Sequence, residues 1–339
     1  MSEDIIIAGW GAVSPAGWTS AELADATLNG QPLPITEDSR GEGAPLRKFR
    51  TVPAQAEVPA WMRHARLRRS SPVARYAVSA ALSALGDQPV EKETLGVIFV
   101  TMNGCVGFSR RFFSEVLTNP AFASPILFPE TVFNAPSSHL SSLLGSPAVN
   151  FTLIGDSAQF LGGLDLAVQW LQEGRVPHCL VVASEEMDWL STEALGLFPG
   201  HRVAAEGAAA VYLRPGSDAG AMRIEQITTP VLMSSSENRT SAALRMRGTL
   251  SDQNLDARTV VCDSRCGSAV WDRPEEQLWA GTDAFIHSPA RWLGDSSGVA
   301  AGWQTVLGCE FMKRNLSDTA IISAVGCSEQ ALAAVLKRI

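Results

Sequence analysis

The stretch VNFTLIGDSAQFLGGLDLAVQWLQEG, residues 149–174, decides how this chain of 339 residues can fold. Residues 149–154 form a short apolar run typical of a β-strand, and Gly155-Asp156-Ser157 interrupts it. From residue 157 onward apolar side chains recur every three or four positions, which predicts a buried helix that ends at Gly174. A strand that turns sharply into a helix presents free backbone N–H groups, which favour an anion or an activated nucleophile.

The residues at this turn also have a purely structural interpretation. Asp156 followed by Gln159 is the pattern of a capping box, in which Asp156 caps the helix and Gln159 reaches back to it. Such local hydrogen bonding explains these residue types without a catalytic role. Gly162 and Gly163 lie inside the predicted helix and lower its stability, so we expect them to admit another backbone at close range.

Composition limits the classes of function. Hydrophobic residues make up 46% of the chain, enough for a sizeable core in one large or two fused domains. The net charge is −8, and the only basic stretch is RHARLRR at 63–69, so we expect no nucleic-acid partner. That stretch leads into an alanine-rich segment at 70–85, which predicts a helix capped by Ser71.

The termini and the cysteines bear on location. The opening residues, MSEDIIIAGW, form neither a secretory signal nor a membrane span. Six scattered cysteines are typical of reduced thiols, so we expect a cytoplasmic protein with no membrane association. Cys262 and Cys266 lack further cysteine or histidine neighbours in sequence, which argues against a zinc site.

Strands and helices alternate along the chain with short loops. This pattern predicts an α/β fold with mainly parallel sheets. A turn at 216–220 divides the chain into two similar halves, residues 1–216 and 217–339, and residues 30–60 are a surface excursion. Apolar runs of strand type lie at 5–8, 95–101, 149–154, 179–183, 205–213, 223–228, 258–262, 283–287, 319–324 and 331–337, and helices are predicted at 70–85, 137–144, 238–250, 274–280 and 299–312.

Several motifs resemble those of the β-ketoacyl synthases, the condensing enzymes of fatty acid and polyketide synthesis. The segment IIIAGWGAVSP at 5–15 resembles their opening strand, and PETVFN at 129–134 resembles a motif at their dimer interface. The segment AEGAAAVYL at 205–213 resembles their G-E-G-A strand, and the central helix resembles their active-site helix. The resemblance runs along nearly the whole chain. It implies a thiolase-like fold, with two similar halves in stacked αβαβα layers and an obligate dimer.

The residues that the resemblance assigns to catalysis are missing. The acyl-carrying cysteine falls on Ser157 when the helix is counted back from Gly174, and on Gly155 when it is counted forward from Pro147. Ser264 and Asp295 stand where the two catalytic histidines are expected. Ala290 stands where a lysine is expected, and Val325-Gly326-Cys327-Ser328 replaces a G-F-G-G loop. Condensation needs a thiolate and neutral donors that stabilise the enolate, so these replacements exclude it.

The resemblance therefore favours a chain-length-factor-like subunit without its own catalytic residues. Such a subunit pairs with an active β-ketoacyl synthase as a heterodimer and shapes its acyl tunnel. On this hypothesis Met102, Phe108, Phe133 and Asn134 lie at the tunnel and dimer interface, and Phe133 closes the partner's tunnel. An acyl carrier protein is a second partner, with 63–69 as a candidate docking patch, and no metal or organic cofactor is implied.

Two other hypotheses remain open. In the first, Ser157 is the nucleophile of a serine-dependent acyltransferase or thioesterase, with His287 as its base and His139 as a weaker candidate. In the second, the protein is a homodimer that only binds an acyl or CoA ligand. Aromatic residues between 108 and 133 are also explained as ordinary core and subunit interface.

Overall fold

A computed structural model describes residues 3–200, 202–233, 239–250, 255–327 and 329–339. The first half contains β1 (Ile5–Val13), α1 (Ser20–Asn29), β2 (Thr36–Asp38), β3 (Arg47–Arg50), α2 (Pro72–Leu85), β4 (Leu95–Thr101), α3 (Val106–Thr118), α4 (Ala135–Leu144), β5 (Asn150–Ile154), α5 (Gln159–Gln172), β6 (His178–Glu185), α6 (Trp189–Leu195), β7 (Ala204–Ala205) and β8 (Gly207–Pro215). The second half contains β9 (Met222–Ile227), β10 (Val231–Leu232), α7 (Arg239–Thr249), β11 (Thr259–Cys262), α8 (Ala269–Leu278), β12 (Phe285–His287), α9 (Ala290–Leu293), α10 (Ala300–Lys313), β13 (Thr319–Val325) and β14 (Gln330–Arg338).

The two halves repeat one sheet topology. In the first half, β1 pairs antiparallel with β8 and β8 with β6, after which β4 and β5 follow in parallel. In the second half, β9 pairs antiparallel with β14 and β14 with β13, after which β11 and β12 follow in parallel. Strands β1 and β9 pair with each other, so the whole order is β12-β11-β13-β14-β9-β1-β8-β6-β4-β5. The prediction of two similar halves is confirmed.

The sheets are mixed, so the prediction of mainly parallel sheets is wrong. Strands β8 and β14 are the reason: both are buried almost throughout, yet both pair antiparallel with each of their main neighbours. A continuous apolar run is typical of a parallel strand because helices cover both of its faces. Here the helix layers on both sides bury antiparallel strands equally well.

Helices and sheets stack in five layers. Helices α5 and α10 contact each other in the middle layer, where α5 also contacts β4, β6 and β14, and α10 contacts β8, β11 and β13. The largest hydrophobic core surrounds these two helices. A second core lies under α2 and α4 on the first half, and a third lies under α7 on the second half. The predicted αβαβα arrangement is therefore confirmed.

Helix α5 packs tightly on the first-half strands because of one glycine. A Cβ atom added at Gly163 would lie 3.2–3.4 Å from side-chain methyl groups of Val181, Val100 and Ile98. The predicted close approach therefore occurs, but to side chains of the sheet and not to another backbone. The predicted C-terminal glycine is confirmed, since Gly174 adopts φ +67° directly after the helix.

Two predicted boundaries are wrong. Strand β1 continues through Gly9 to Val13, because Gly9 and Gly11 lie against the carbonyl groups of α2 and serve close packing, not a turn. The turn comes at Ser14 and Gly17, which exchange two backbone hydrogen bonds. Helix α8 begins at Ala269, five residues before the predicted start, and contains Pro274 in its interior.

Other predictions concern the periphery. Ser71 caps α2 as predicted, with its hydroxyl accepting from the backbone N–H of Ala74. The excursion at 30–60 carries the β2–β3 hairpin, and Phe49 within it is buried. Residue 238, where helix α7 was predicted to begin, lies outside the described residues, as does Ser328. The division between residues 216 and 217 stays a prediction. No helix in the described ranges is long and apolar enough to cross a bilayer.

Candidate functional site

The turn between β5 and α5 is buried and is tied to the end of the chain. Asp156 is 2% exposed and Ser157 is 9% exposed. The backbone N–H of Asp156 donates to the Glu329 carboxylate at 3.2 Å, and the backbone N–H of Glu329 donates back to Asp156 Oδ2 at 3.4 Å. The turn of the first half is therefore held by the hairpin that closes the second half.

The predicted capping box is wrong. Helix α5 begins at Gln159, and its N-cap is Ala158, which supplies no side-chain hydrogen bond. The Gln159 side-chain oxygen accepts from Gln330 Nε2 at 2.9 Å and does not reach back to Asp156. Gln159 is therefore bonded to Gln330 of the second half and not to a residue of its own turn. No local sequence pattern could indicate this distant partner.

A small cavity of about 30 Å³ lies beside this turn. This volume is enough for ordered water, and it is far below the roughly 300 Å³ or more of a small-molecule site. Of the residues singled out by the sequence, Met102, Ser157, Ser264 and Asp295 line it together. The other lining residues are Asp156, Leu195, Arg202, Arg239, Cys266, Trp271, Ala290, Ser297, Ala300, Val325 and Cys327. Elements from both halves therefore converge where the resemblance places the catalytic groups.

Two arginines and a tryptophan pack against one another in the wall of this cavity. The guanidinium carbons of Arg202 and Arg239 lie 4.1 and 4.3 Å from the centroid of the Trp271 ring, within the range of cation–π attraction. Arg239 also donates to the carbonyl oxygens of Gly326 at 3.0 Å and Val325 at 3.1 Å. These three side chains were missed by the sequence analysis, because they lie on separate elements far apart in the chain.

Asp295 lines the cavity and also forms hydrogen bonds that hold its own loop in place. Its carboxylate accepts from Arg202 Nη1 at 2.5 Å and from the backbone N–H of Ser297 at 3.0 Å. Its backbone N–H donates to Val203, and its carbonyl accepts from Ala205 N–H. The paired arginine neutralises the carboxylate and fixes its position, so Asp295 anchors the loop after α9 against β7.

Ser264 is equally engaged. Its hydroxyl donates to the Ser323 carbonyl at 3.2 Å and accepts from Gln304 Nε2 at 3.3 Å. Its backbone N–H donates at 2.8 Å to Glu275, whose carboxyl is fully buried. That burial raises the pKa of Glu275 well above its usual value. Ser264 therefore belongs to a buried polar network behind the cavity.

The predicted nucleophile and its predicted base do not meet. His287 lies at the end of β12 with its ring edge-on to Phe311 at 4.9 Å, and it is not among the residues that line the cavity. Burial lowers the pKa of His287 to about 4, so its imidazole is neutral at neutral pH. His139 instead contacts Glu130 at 2.7 Å. Among the described residues, none forms a hydrogen bond with the Ser157 hydroxyl.

Thiols do line the cavity, although none stands at the turn. Cys266 and Cys327 both belong to its wall. Burial is the main cause that raises the pKa of Cys266 to about 12, and the carboxylates of Asp295 and Asp272 add to it. Such a thiol is not ionised at neutral pH and is a poor nucleophile. Within the described ranges, no group of three or more metal-ligating side chains could hold a metal ion.

A wider basic groove of about 630 Å³ adjoins the cavity and shares Leu195, Arg202, Cys266 and Ala290 with it. Five cationic side chains line this groove, namely Arg47, Lys48, Arg50, Arg202 and Arg291, and its lining includes no acidic residue. Four of the five form ion pairs with carboxylates outside the lining, namely Arg47 with Glu193, Lys48 with Glu37, Arg202 with Asp295 and Arg291 with Asp272, so the groove has many cationic side chains but little unpaired positive charge. We call it the basic groove.

The part of the chain that runs from α3 to the end of β5 carries many exposed apolar side chains. Strand β5 is the outermost strand of the first-half sheet and leaves Phe151 47% and Ile154 55% exposed. Phe133 is 40% exposed, and Asn134 beside it is also exposed, whereas Phe108 packs partly against the first-half core. We call this surface the partner face; its exposed apolar members are Phe113, Leu117, Phe122, Ile126, Phe128, Val132, Phe133, Phe151 and Ile154.

Comparisons with known proteins identify the fold. No protein-family model and no curated protein sequence matches the chain. Among solved structures, the ishigamide ketosynthase/chain length factor superposes with a TM-score of 0.85 at 19% identity, covering 99% of both chains. A β-ketoacyl synthase from Burkholderia phymatum STM815 gives 0.82 at 16% identity, covering 99% of this chain and 100% of its own.

A third structure is the AntDE:AntF complex, a type II polyketide synthase acyl-carrier protein with its ketosynthase bound to the hexaketide. It gives a TM-score of 0.78 at 15% identity and covers all of both chains. At these identities the likeness establishes the architecture. The chain has the thiolase fold shared by ketosynthase and chain-length-factor structures.

Proposed function

We propose that this protein is a ketosynthase-like subunit without condensing activity, of the chain-length-factor kind. It pairs with an active β-ketoacyl synthase in the cytoplasm and shapes that partner's acyl tunnel in polyketide, polyene or fatty acid synthesis. The observation that carries this proposal is the content of the cavity beside α5. Ser157, Ser264 and the Arg202–Asp295 pair line it, and its volume of about 30 Å³ is far below that of a small-molecule site.

The chemistry of the cavity argues against condensation. The Ser157 hydroxyl has no described base beside it, and the Cys266 thiol has a pKa of about 12. The Asp295 carboxylate, which is paired with Arg202, would repel a developing enolate. The cavity volume of about 30 Å³ is also far below the roughly 300 Å³ or more of a small-molecule site.

The partner face supports pairing with a second subunit. Nine large apolar side chains between residues 113 and 154 are exposed, and a concentration of exposed apolar residues on a monomer is typical of a protein–protein interface. Strand β5 also presents an unpaired edge, and such edges are usually covered in native proteins. The structural relatives include a ketosynthase/chain length factor. An active ketosynthase is therefore the partner that we propose for this face, with Phe133 directed toward its acyl tunnel.

The basic groove supports a second, electrostatic partner. Acyl carrier proteins are acidic, and Arg47, Lys48 and Arg291 of this groove are partly exposed, so each can exchange its internal ion pair for an acidic surface or a phosphate group. Arg63, Arg66, Arg68 and Arg69 from the predicted docking patch are also exposed. We propose that an acyl carrier protein docks at the basic groove in the assembled heterodimer.

Co-expression tests the pairing. Expression with a ketosynthase from the neighbouring genes should yield a co-purifying heterodimer, measured by size-exclusion chromatography and native mass spectrometry. Phe151→Asp places a charge at the partner face and should abolish co-purification, whereas Leu244→Asp, on the exposed side of α7, should not. A stable homodimer that ignores the ketosynthase would contradict the proposal.

Intact-mass analysis tests the absence of chemistry. Incubation with acyl thioesters or an acylated carrier protein should leave the mass of the chain unchanged. An acyl adduct that forms on the natural chain and disappears in Ser157→Ala would overturn the proposal and favour a serine acyltransferase.

A further inference from the structure

One cation in the basic groove differs from the other four. Arg47, Lys48, Arg202 and Arg291 each pair with a carboxylate. Arg50, the last residue of β3, forms no ion pair with any residue that the structure describes. Because the four pairs each have no net charge, the positive charge that remains in the groove belongs to Arg50.

The Arg50 side chain is buried, but the end of its guanidinium group is not enclosed. The residue is 5% exposed and lines the groove. Its Nε donates to the Leu33 carbonyl oxygen at 3.0 Å, which holds the guanidinium plane in position. Neither Nη group forms a hydrogen bond within the described part of the chain, and neither is shut off from solvent. Both Nη groups are therefore free to donate to a ligand in the groove.

No acid of the described chain neutralises this charge. Burial lowers the pKa of Arg50, and no neighbouring carboxylate raises it. The backbone N–H of Glu206 donates to the Arg50 carbonyl, but the carboxylate of Glu206 accepts from the Tyr76 hydroxyl and from the Val52 backbone N–H. A buried charge without a partner is costly, and an anion placed beside it removes much of that cost.

The rest of the groove has room for an organic group beside that anion. Its volume of about 630 Å³ is within the range of small-molecule sites, and Leu46, Leu195 and Phe198 add apolar surface. A phosphate monoester carries a charge of about −1.5 to −2 near pH 7 and three acceptor oxygens. It can therefore accept from both Nη groups of Arg50 and keep one oxygen in water, whereas a carboxylate has one charge and two oxygens.

We propose that the basic groove is a binding site for a phosphate ester: the Nη groups of Arg50 hold the phosphate group, and the organic part lies along Leu195 and Phe198. This inference deepens the docking of an acyl carrier protein proposed above, which uses the partly exposed cations of the same groove. It rests on that docking only for the source of the phosphate, since an ester on the docked protein and a free ester would meet Arg50 in the same way.

Calorimetric titration of the full chain with phenyl phosphate, benzoate and phenol, at about pH 7.5 and constant ionic strength, tests the site. Phenyl phosphate should bind; benzoate should bind roughly threefold or more weakly, and phenol roughly tenfold or more weakly, because charge-assisted hydrogen bonds supply the affinity. Arg50→Gln should weaken phenyl phosphate by roughly tenfold or more. Arg258→Gln removes an exposed arginine that Asp318 pairs outside the groove, and should change the affinity by about twofold or less.

Two controls protect the test against an unfolded variant. The order of the three probes is measured on the natural chain and needs no substitution. Arg50→Lys keeps the charge but loses the guanidinium fork, so its affinity for phenyl phosphate should lie between those of the natural chain and Arg50→Gln. Circular dichroism should show that both variants keep the fold. Equal binding of phenyl phosphate and phenol, tighter binding of benzoate than of phenyl phosphate, or an unchanged affinity in Arg50→Gln would overturn the proposal.

A carrier protein identifies the source of the phosphate. Capture of this protein by the heterodimer is compared with and without a phosphate-bearing prosthetic group on the carrier. Lys48→Gln should weaken the capture of both forms and change phenyl phosphate binding by about twofold or less, so it reports on docking alone. Arg50→Gln should weaken only the phosphate-bearing form if the docked protein supplies the ester, and neither form if the ester is free. Unchanged capture in Lys48→Gln would contradict the docking and leave the phosphate site to the titration.

Discussion

The buried carboxyl group of Glu186 should make the stability of this protein fall as the pH rises. The group is almost fully buried, and its desolvation is the main cause that raises its pKa from the usual 4.5 to about 7. In the unfolded chain the same group ionises near pH 4.5. Between these two values the folded protein holds a proton that the unfolded chain has lost.

The sign and size of the effect follow from this difference. Below about pH 4.5 both states are protonated, and the group does not affect the free energy of unfolding. Above that value the unfolded chain is favoured progressively, so stability falls until Glu186 ionises in the folded state near pH 7. A difference of about 2.5 pKa units, at about 1.36 kcal/mol each, corresponds to a total of about 3 kcal/mol. About 2.5 kcal/mol of it should develop between about pH 5 and about pH 8.

Glu186→Gln isolates this contribution from all other titrating groups. The amide oxygen can still accept from the Gly107 backbone N–H, and the side chain keeps its size but cannot ionise. Urea unfolding at about pH 5 and about pH 8 should show the variant gaining about 2.5 kcal/mol over the natural chain between the two conditions. Glu173→Gln changes an exposed residue directly after α5, and its free energy of unfolding should equal that of the natural chain at both pH values. A constant difference between Glu186→Gln and the natural chain would refute the reasoning.

Three substitutions test the packing around the cavity and the central helix. Arg239→Lys keeps the charge but cannot reproduce the guanidinium fork that bonds two loop carbonyls, so urea unfolding should show a loss of about 1–3 kcal/mol. Trp271→Ala removes the ring against which both arginines lie and should cost about 3–5 kcal/mol in the same assay, with a lower melting temperature. Gly163→Ala adds a Cβ at 3.2–3.4 Å from three sheet side chains and should cost about 1–3 kcal/mol, whereas Gly162→Ala, which meets only the flexible Gln159 side chain, should be close to neutral or stabilising.

The fold was predictable from the sequence because its strongest signals are local. The apolar period of α5, the cap of α2 at Ser71 and the buried run of β4 each depend on residues close together in the chain. The repeated order of strands and helices then restricts the architecture. The direction of β8 and β14 was not predictable, since a strand covered by helices on both faces has the same apolar composition whether its neighbours are parallel or antiparallel.

The site was only partly predictable, because several of its residues are far apart in the sequence and meet only in the folded chain. Ser157, Ser264 and Asp295 were found because they occupy positions that a motif marks. Arg202, Arg239 and Trp271, which also line the cavity, do not occupy positions that a motif marks as catalytic, and only the folded chain brings them together. The capping box failed in the same way, because Gln159 found its partner in Gln330 of the other half.

The cavity beside α5 is also the place where the two halves are joined. Asp156 of the first half exchanges hydrogen bonds with Glu329 of the second half, and Arg202 of the first half pairs with Asp295 of the second half. Opening the cavity to a substrate would leave these buried groups without partners, at a cost of about 1–3 kcal/mol for each. Residues in such a junction stabilise the molecule only while the cavity stays closed. In the proposed subunit, Asp295 stands in place of a catalytic histidine and acts as a cross-link between the halves, and the surfaces left free for function are the partner face and the basic groove.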